Sequence, residues 1–223
     1  MTLLEEVQGV MERTYAPVGV DLSACIVGAR RSTDLLMAAG WSVEDQPSDA
    51  CTFLRREEDS LYLAIFYSDR LIAALEAENP RQSISHRNIG YLISFLEEIT
   101  HAVHAALAFA AGFRDVDSES FACALEAQAK VDTYWLVRRF CRCLMSRDSE
   151  PWVNDWIMQR LFDDERFNYA RPGLARRYRL AHRIARGFVE RTASMPTGDR
   201  VAAIRAFRVA SLLGKARLAR VLV

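Results

Sequence analysis

The chain has 223 residues, 51% of them hydrophobic and 26% charged, which excludes a disordered or fibrous protein and is long enough to bury a core without disulfide or metal staples. Its zero net charge hides a split: residues 171–223 carry thirteen Lys or Arg against two acids, Glu190 and Asp199, so this segment stands at +11 and residues 1–170 at −11. The basic segment is also rich in Leu, Val, Ile and Ala at helical spacing, which favours attraction between two parts of one fold over a nucleic-acid contact.

In chain order, residues 2–14 read as a short amphipathic helix and VGVDLSACIVG, residues 18–28, as an extended segment. A helix is expected to start at Ser32 or Thr33 and stop at Gly40. ACTFLRRE and EDSLYLAIFYS, with Glu57, Glu58 and Asp59 between them, predict a β-hairpin, the one convincing sheet signal. From residue 68 onward the pattern is helical, with expected segments 68–78, 87–112, 117–147, 151–165, 172–192 and 198–221, broken by Pro, Gly and Asp clusters. The expected architecture is α+β: a small N-terminal sheet followed by a predominantly helical part. No linker, repeat or low-complexity tract interrupts it. One domain is expected over 1–223: a helix and small sheet in 1–86, motif-bearing helices in 87–147 and basic helices in 148–223.

The five cysteines, Cys25, Cys51, Cys123, Cys141 and Cys143, are odd in number and lack zinc-ribbon spacing, so free thiols in a reducing compartment are expected. No run reaches the roughly 18–20 apolar residues of a membrane span, and the N-terminus carries acids where a signal peptide needs bases. A cytoplasmic protein is expected.

The stretch FLEEITHAVHA, residues 95–105, concentrates chemistry. On a helix Glu97, His101 and His104 share a face, with Glu98 one step round. A zincin helix has this arrangement: HExxH supplies two metal ligands four residues apart and a glutamate that activates the metal-bound water. Here the register is E-E-I-T-H, and Glu126, twenty-five residues after His101, offers the later glutamate that completes a gluzincin site. The competing reading is a buried hydrogen-bond network in which His101 pairs with Glu126 or Glu97 without metal.

A strand LYLAIF, Arg87 with Asn88, a long helix with Glu97, Glu98 and His101, and a further helix with Glu126 and Asp132 together resemble small gluzincin-type (minigluzincin-like) metallopeptidase domains with a degenerate motif. The resemblance covers about residues 50–140. It implies a zincin-like fold with Glu97, His101 and Glu126 as metal ligands and Glu98 as general base. Departures from the pattern are Glu97 in place of the first histidine, Thr100 and Ala102 in place of the serine and aromatic of the worn motif, and Lys130 where an acid would stand. Two carboxylates neutralise a dication and make it a poorer Lewis acid, which implies weak activity with zinc or a shift to manganese or iron.

The expected function is that of a degenerate zincin-like protein, a non-peptidase acting through binding of an unidentified protein partner, with residual metal binding at Glu97, His101 and Glu126. The rival is an active metal-dependent hydrolase with Glu98 as base. His104 is expected at a rim, partly buried. His86 and His182 have no ligand-spaced neighbours, and Tyr134, Trp135, Phe140, Trp152 and Trp156 are expected in the core. The basic helix is expected to bury Tyr178, Leu180, Ile184 and Phe188. Phosphate-loop, dinucleotide and nucleophile-elbow motifs are absent.

Overall fold

The structure, a computed structural model, describes residues 1–40, 49–144, 150–163 and 172–222. The chain opens with α1 (Leu3–Thr14), started by a reciprocal cap: Glu5 N–H donates to Thr2 Oγ1 at 3.2 Å and Thr2 N–H to Glu5 Oε2 at 2.7 Å. The stretch expected to be extended over 18–28 forms instead a 3₁₀ turn at Leu22–Cys25, because Asp21 accepts from Ser23 N–H and caps it. Only Ile26–Val27 remain as strand β1. Helix α2 (Ala29–Ala38) begins three residues before the expected serine. Gly28 takes the cap position, and Thr33 bonds back to the Ala29 carbonyl at 3.1 Å rather than capping.

The expected hairpin forms from β2 (Ala50–Glu57) and β3 (Ser60–Tyr67), antiparallel from Ala50 opposite Tyr67 to Glu57 opposite Ser60. Glu58 in the turn takes a left-handed conformation, φ 50°. β1 adds in parallel on the other side of β3, giving the order β1-β3-β2. After α3 (Asp69–Ala77), the two long helices α4 (Ile89–Ala110) and α5 (Glu119–Leu144) pack on each other, and α4 lies against the hairpin. Two hydroxyls tie sheet to helix: Thr52 donates to the Glu98 carbonyl and Tyr67 to the Phe95 carbonyl, each at 3.0 Å.

α6 (Glu150–Met158) runs into a π-helical turn at Gln159–Asp163, and the rest of the expected segment lies outside the described residues. α7 (Pro172–Thr192) packs along α5. The single helix expected over 198–221 is two: α8 (Thr197–Val209) and α9 (Leu212–Ala219). Ala210 is extended, ψ 141°, and the Ser211 hydroxyl accepts from Gly214 N–H at 3.2 Å, starting a new helix.

One hydrophobic cluster runs from Leu4 to Ala219 and includes the fully buried Tyr134, Ile184 and Phe188. Phe140 is buried with them, Tyr178 and Leu180 are half-buried, and Trp152, expected inside, is 58% exposed and stacks on Trp156. Among the described helices α4 alone is long and apolar enough to cross a membrane by length and composition, yet 61% of that window is buried inside the fold; it is the central core helix.

α7 and α9 meet at Gly187. A Cβ there would stand 2.8 Å from the Ala219 carbonyl oxygen and 3.3 Å from a Val221 methyl. Gly187→Ala is therefore expected to destabilise the chain by about 1–3 kcal/mol, read by chemical denaturation, because the obstacle is backbone and cannot swing away.

Candidate functional site

α4 and α5 are antiparallel neighbours, so four residues up one helix answer to four down the other. That register produces two charged rungs. His101 Nε2 lies 3.2 Å from Glu126 Oε2, and Lys130 Nζ lies 3.4 Å from Glu97 Oε1. On its other edge His101 Nδ1 meets Glu98 Oε2 at 3.4 Å. The Glu126 contact lies off the N–H axis, so it is a charge contact rather than an aligned hydrogen bond.

The structure thus brings together three of the four residues singled out from the motif, Glu98, His101 and Glu126, and turns the fourth, Glu97, toward Lys130. The side chains of His101, Glu98 and Glu126 are only 13%, 15% and 16% exposed. α7 forms their cover: Tyr178 hydrogen-bonds Glu126, Cys123 Sγ meets the Arg177 carbonyl at 3.6 Å, and Arg177 pairs with Glu119, Nε to Oε1 at 2.9 Å. The basic segment therefore meets the acidic half of the chain at this point.

Burial alone would push His101 down, but Glu126 and Glu98 outweigh it and hold the imidazole well above its ordinary value of 6.5. Burial would likewise raise Glu126; His101, Lys130 and Tyr178 hold it below the ordinary 4.5. Beside them Cys51 is pushed up to about 12, by burial first and then by Glu98 and Glu126, so it stays a thiol. As a ligand set these residues fit a cation poorly: Glu97 is committed to an ammonium, and both nitrogens of His101 face carboxylates. Among the described residues no group of three or more His, Cys, Asp or Glu is placed to hold a metal ion.

A folded pKa above 6.5 for His101 contributes stability that is full below about pH 6.5 and is lost as pH rises through the folded value. A depressed Glu126 contributes above about pH 4.5 and is lost as pH falls. His101→Gln is therefore expected to cost about 1–3 kcal/mol between pH 5 and 6.5 and progressively less at higher pH, read as the difference from the parent in urea unfolding.

A second polar group joins His104 and Asp132, which the sequence names but does not pair, to Tyr15, Gln128 and Lys215, which it does not single out. His104, expected at a rim, is 4% exposed, and its Nε2 makes a short hydrogen bond to Asp132 Oδ2. Asp132 also accepts from Tyr15 Oη at 2.5 Å and Gln128 Nε2 at 3.1 Å. Gln128 Oε1 in turn accepts from Lys215 Nζ at 2.7 Å, and the Phe207 carbonyl accepts from the same ammonium at 2.5 Å. Burial lowers His104 below its ordinary value and brings Lys215 down to about 7, although Asp132 pulls both the other way.

The remaining residues of the motif resemblance are structural. Asn88, fully buried, accepts from Ser85 N–H and donates to the Glu78 and Ser83 carbonyls, stapling the loop before α4. Arg87 makes an exposed pair with Glu78. His86 meets Arg160 and Trp156, and buried His182 packs edge-on to Phe162.

The chain matches no protein-family model, no curated protein and no solved structure.

Proposed function

We propose that the chain is a non-hydrolytic, zincin-like protein of the cytoplasm that acts by binding a protein partner, and that its E-E-x-x-H helix holds an ion-pair network in place of a catalytic centre. The observation that carries this reading is the placement of His101, with one ring nitrogen on Glu98 and the other on Glu126, beneath α7. A metallopeptidase base must reach a water on an open metal position. Glu98 instead lies against the imidazole it would have to leave, and Glu97 stands where a hydrolase would place its first histidine.

The free cysteines support the cytoplasmic assignment. The basic segment is read as internal: Arg177 and Arg186 pair with acids, and Lys215 is buried, which leaves a nucleic-acid role disfavoured. The test is hydrolysis of a fluorogenic peptide library by the purified chain with zinc, manganese or iron(II) added. The expected result is turnover no greater than that of Glu98→Gln. Turnover that Glu98→Gln abolishes would replace this reading with that of a metal-dependent hydrolase.

A further inference from the structure

We propose that the cavity above the second polar group is a binding site for a small apolar molecule carrying one carboxylate. The cavity, about 450 Å³, opens between α4, α5 and the corner joining α8 to α9, a size that suits a small ligand. Its walls are apolar: Phe113 and Phe121, stacked at 5.0 Å between ring centres, with Leu125 and Leu212. The polar residues lining it include His104, Gln128, Lys215 and Arg208.

The charge at this end does not balance. Asp132 is the buried acid within reach, and it already accepts from three donors, Tyr15, Gln128 and His104. Against it stand two basic side chains. Lys215 is held by neutral oxygens and has no ion pair among the described residues. Arg208, half-buried, also has no ion pair among them and contacts the Tyr15 ring face at 5.9 Å. Asp115 is an exposed residue at the rim.

A carboxylate supplies what is missing: its two oxygens match the guanidinium fork of Arg208, and its charge favours the ammonium form of buried Lys215. Burial above all brings Lys215 down to about 7, Asp132 opposes this and Arg208 adds to it. His104 adds a buried Nδ1 with no partner, an acceptor when Nε2–H is directed to Asp132, which suits a hydroxyl next to the carboxylate. The apolar body of the ligand would lie along Phe121 and Leu125.

The full chain titrated calorimetrically with decanoate, 1-decanol and decylamine tests this. One decanoate per chain is expected, with decanol at least about tenfold weaker and decylamine not saturating. Arg208→Gln should weaken decanoate about tenfold or more and leave decanol unchanged. Ala124→Trp, which fills the cavity wall, should remove decanoate binding in a chain whose circular dichroism matches the parent. The proposal is overturned if decanol binds as tightly as decanoate, if decanoate does not saturate, or if its binding survives Ala124→Trp.

Discussion

Asp132→Ala is expected to lower the stability of the chain by about 3–5 kcal/mol, and its melting temperature by roughly 6–20 °C at this length. The loss is large because one carboxylate serves donors from three parts of the chain: Tyr15 just after α1, His104 of α4 and Gln128 of α5. Removing it leaves buried donors facing no acceptor, and each unsatisfied group costs about 1–3 kcal/mol. Asp132→Asn should fall between the two, since its amide keeps one acceptor oxygen but points a new donor at groups that already donate. Guanidinium unfolding of the three proteins reads the order directly. A loss below about 1 kcal/mol for Asp132→Ala would mean that this group is not the structural knot described above.

Lys215→Met is expected to remove a rise of stability with pH above pH 7. The ammonium is almost wholly buried, and its folded value of about 7 lies far below the ordinary 10.5. Between those values the unfolded chain holds a proton that the folded chain does not, so this group makes stability rise with pH across the window. The slope starts at about half of 1.4 kcal/mol per pH unit at pH 7 and approaches that full figure by pH 8, which sums to about 2 kcal/mol between pH 7 and pH 9. His101 acts in the opposite direction over the same range, so the parent profile alone shows neither term. The difference between parent and Lys215→Met isolates Lys215: relative to the parent, the variant should be more stable at pH 7 than at pH 9. A difference that does not change with pH would show that the amine titrates normally.

Much of the fold is legible in the sequence because its signals are local. The hairpin announces itself by two β-rich runs around an acidic turn, and α4 and α5 by long apolar periodicity. β1 is not legible, since two residues give no alternation; it exists only because β3 offers a free edge. The break between α8 and α9 was readable from Ser211 as a cap, but the flanking Val-Ala and Leu-Leu keep the helical period running through it.

The candidate site divides the same way. Glu98 and His101 share one turn, and the spacing to Glu126 suggested their meeting, because a single helix–helix register carries it. The role of Glu97 was less visible, since its partner Lys130 looked like a mere departure from a motif. His104, Asp132 and Lys215 come from α4, α5 and α9, and only the packing of all three makes them neighbours. In the sequence Lys215 is one basic residue among thirteen in a segment expected to pair with the acidic half of the chain, and nothing marks it out from the other twelve. Its burial follows from the turn at Ala210–Ser211, which folds α9 back beside α5 and α7.

The most direct test of the central claim, that the E-E-x-x-H helix carries an ion-pair network rather than a metal centre, is the metal content of the purified chain. The protein would be produced with zinc, manganese and iron supplied and measured by inductively coupled plasma mass spectrometry beside His101→Ala. Far less than one metal per chain is expected, unchanged by the substitution. About one metal per chain in the parent, lost in His101→Ala, would contradict it and restore Glu97, His101 and Glu126 as ligands.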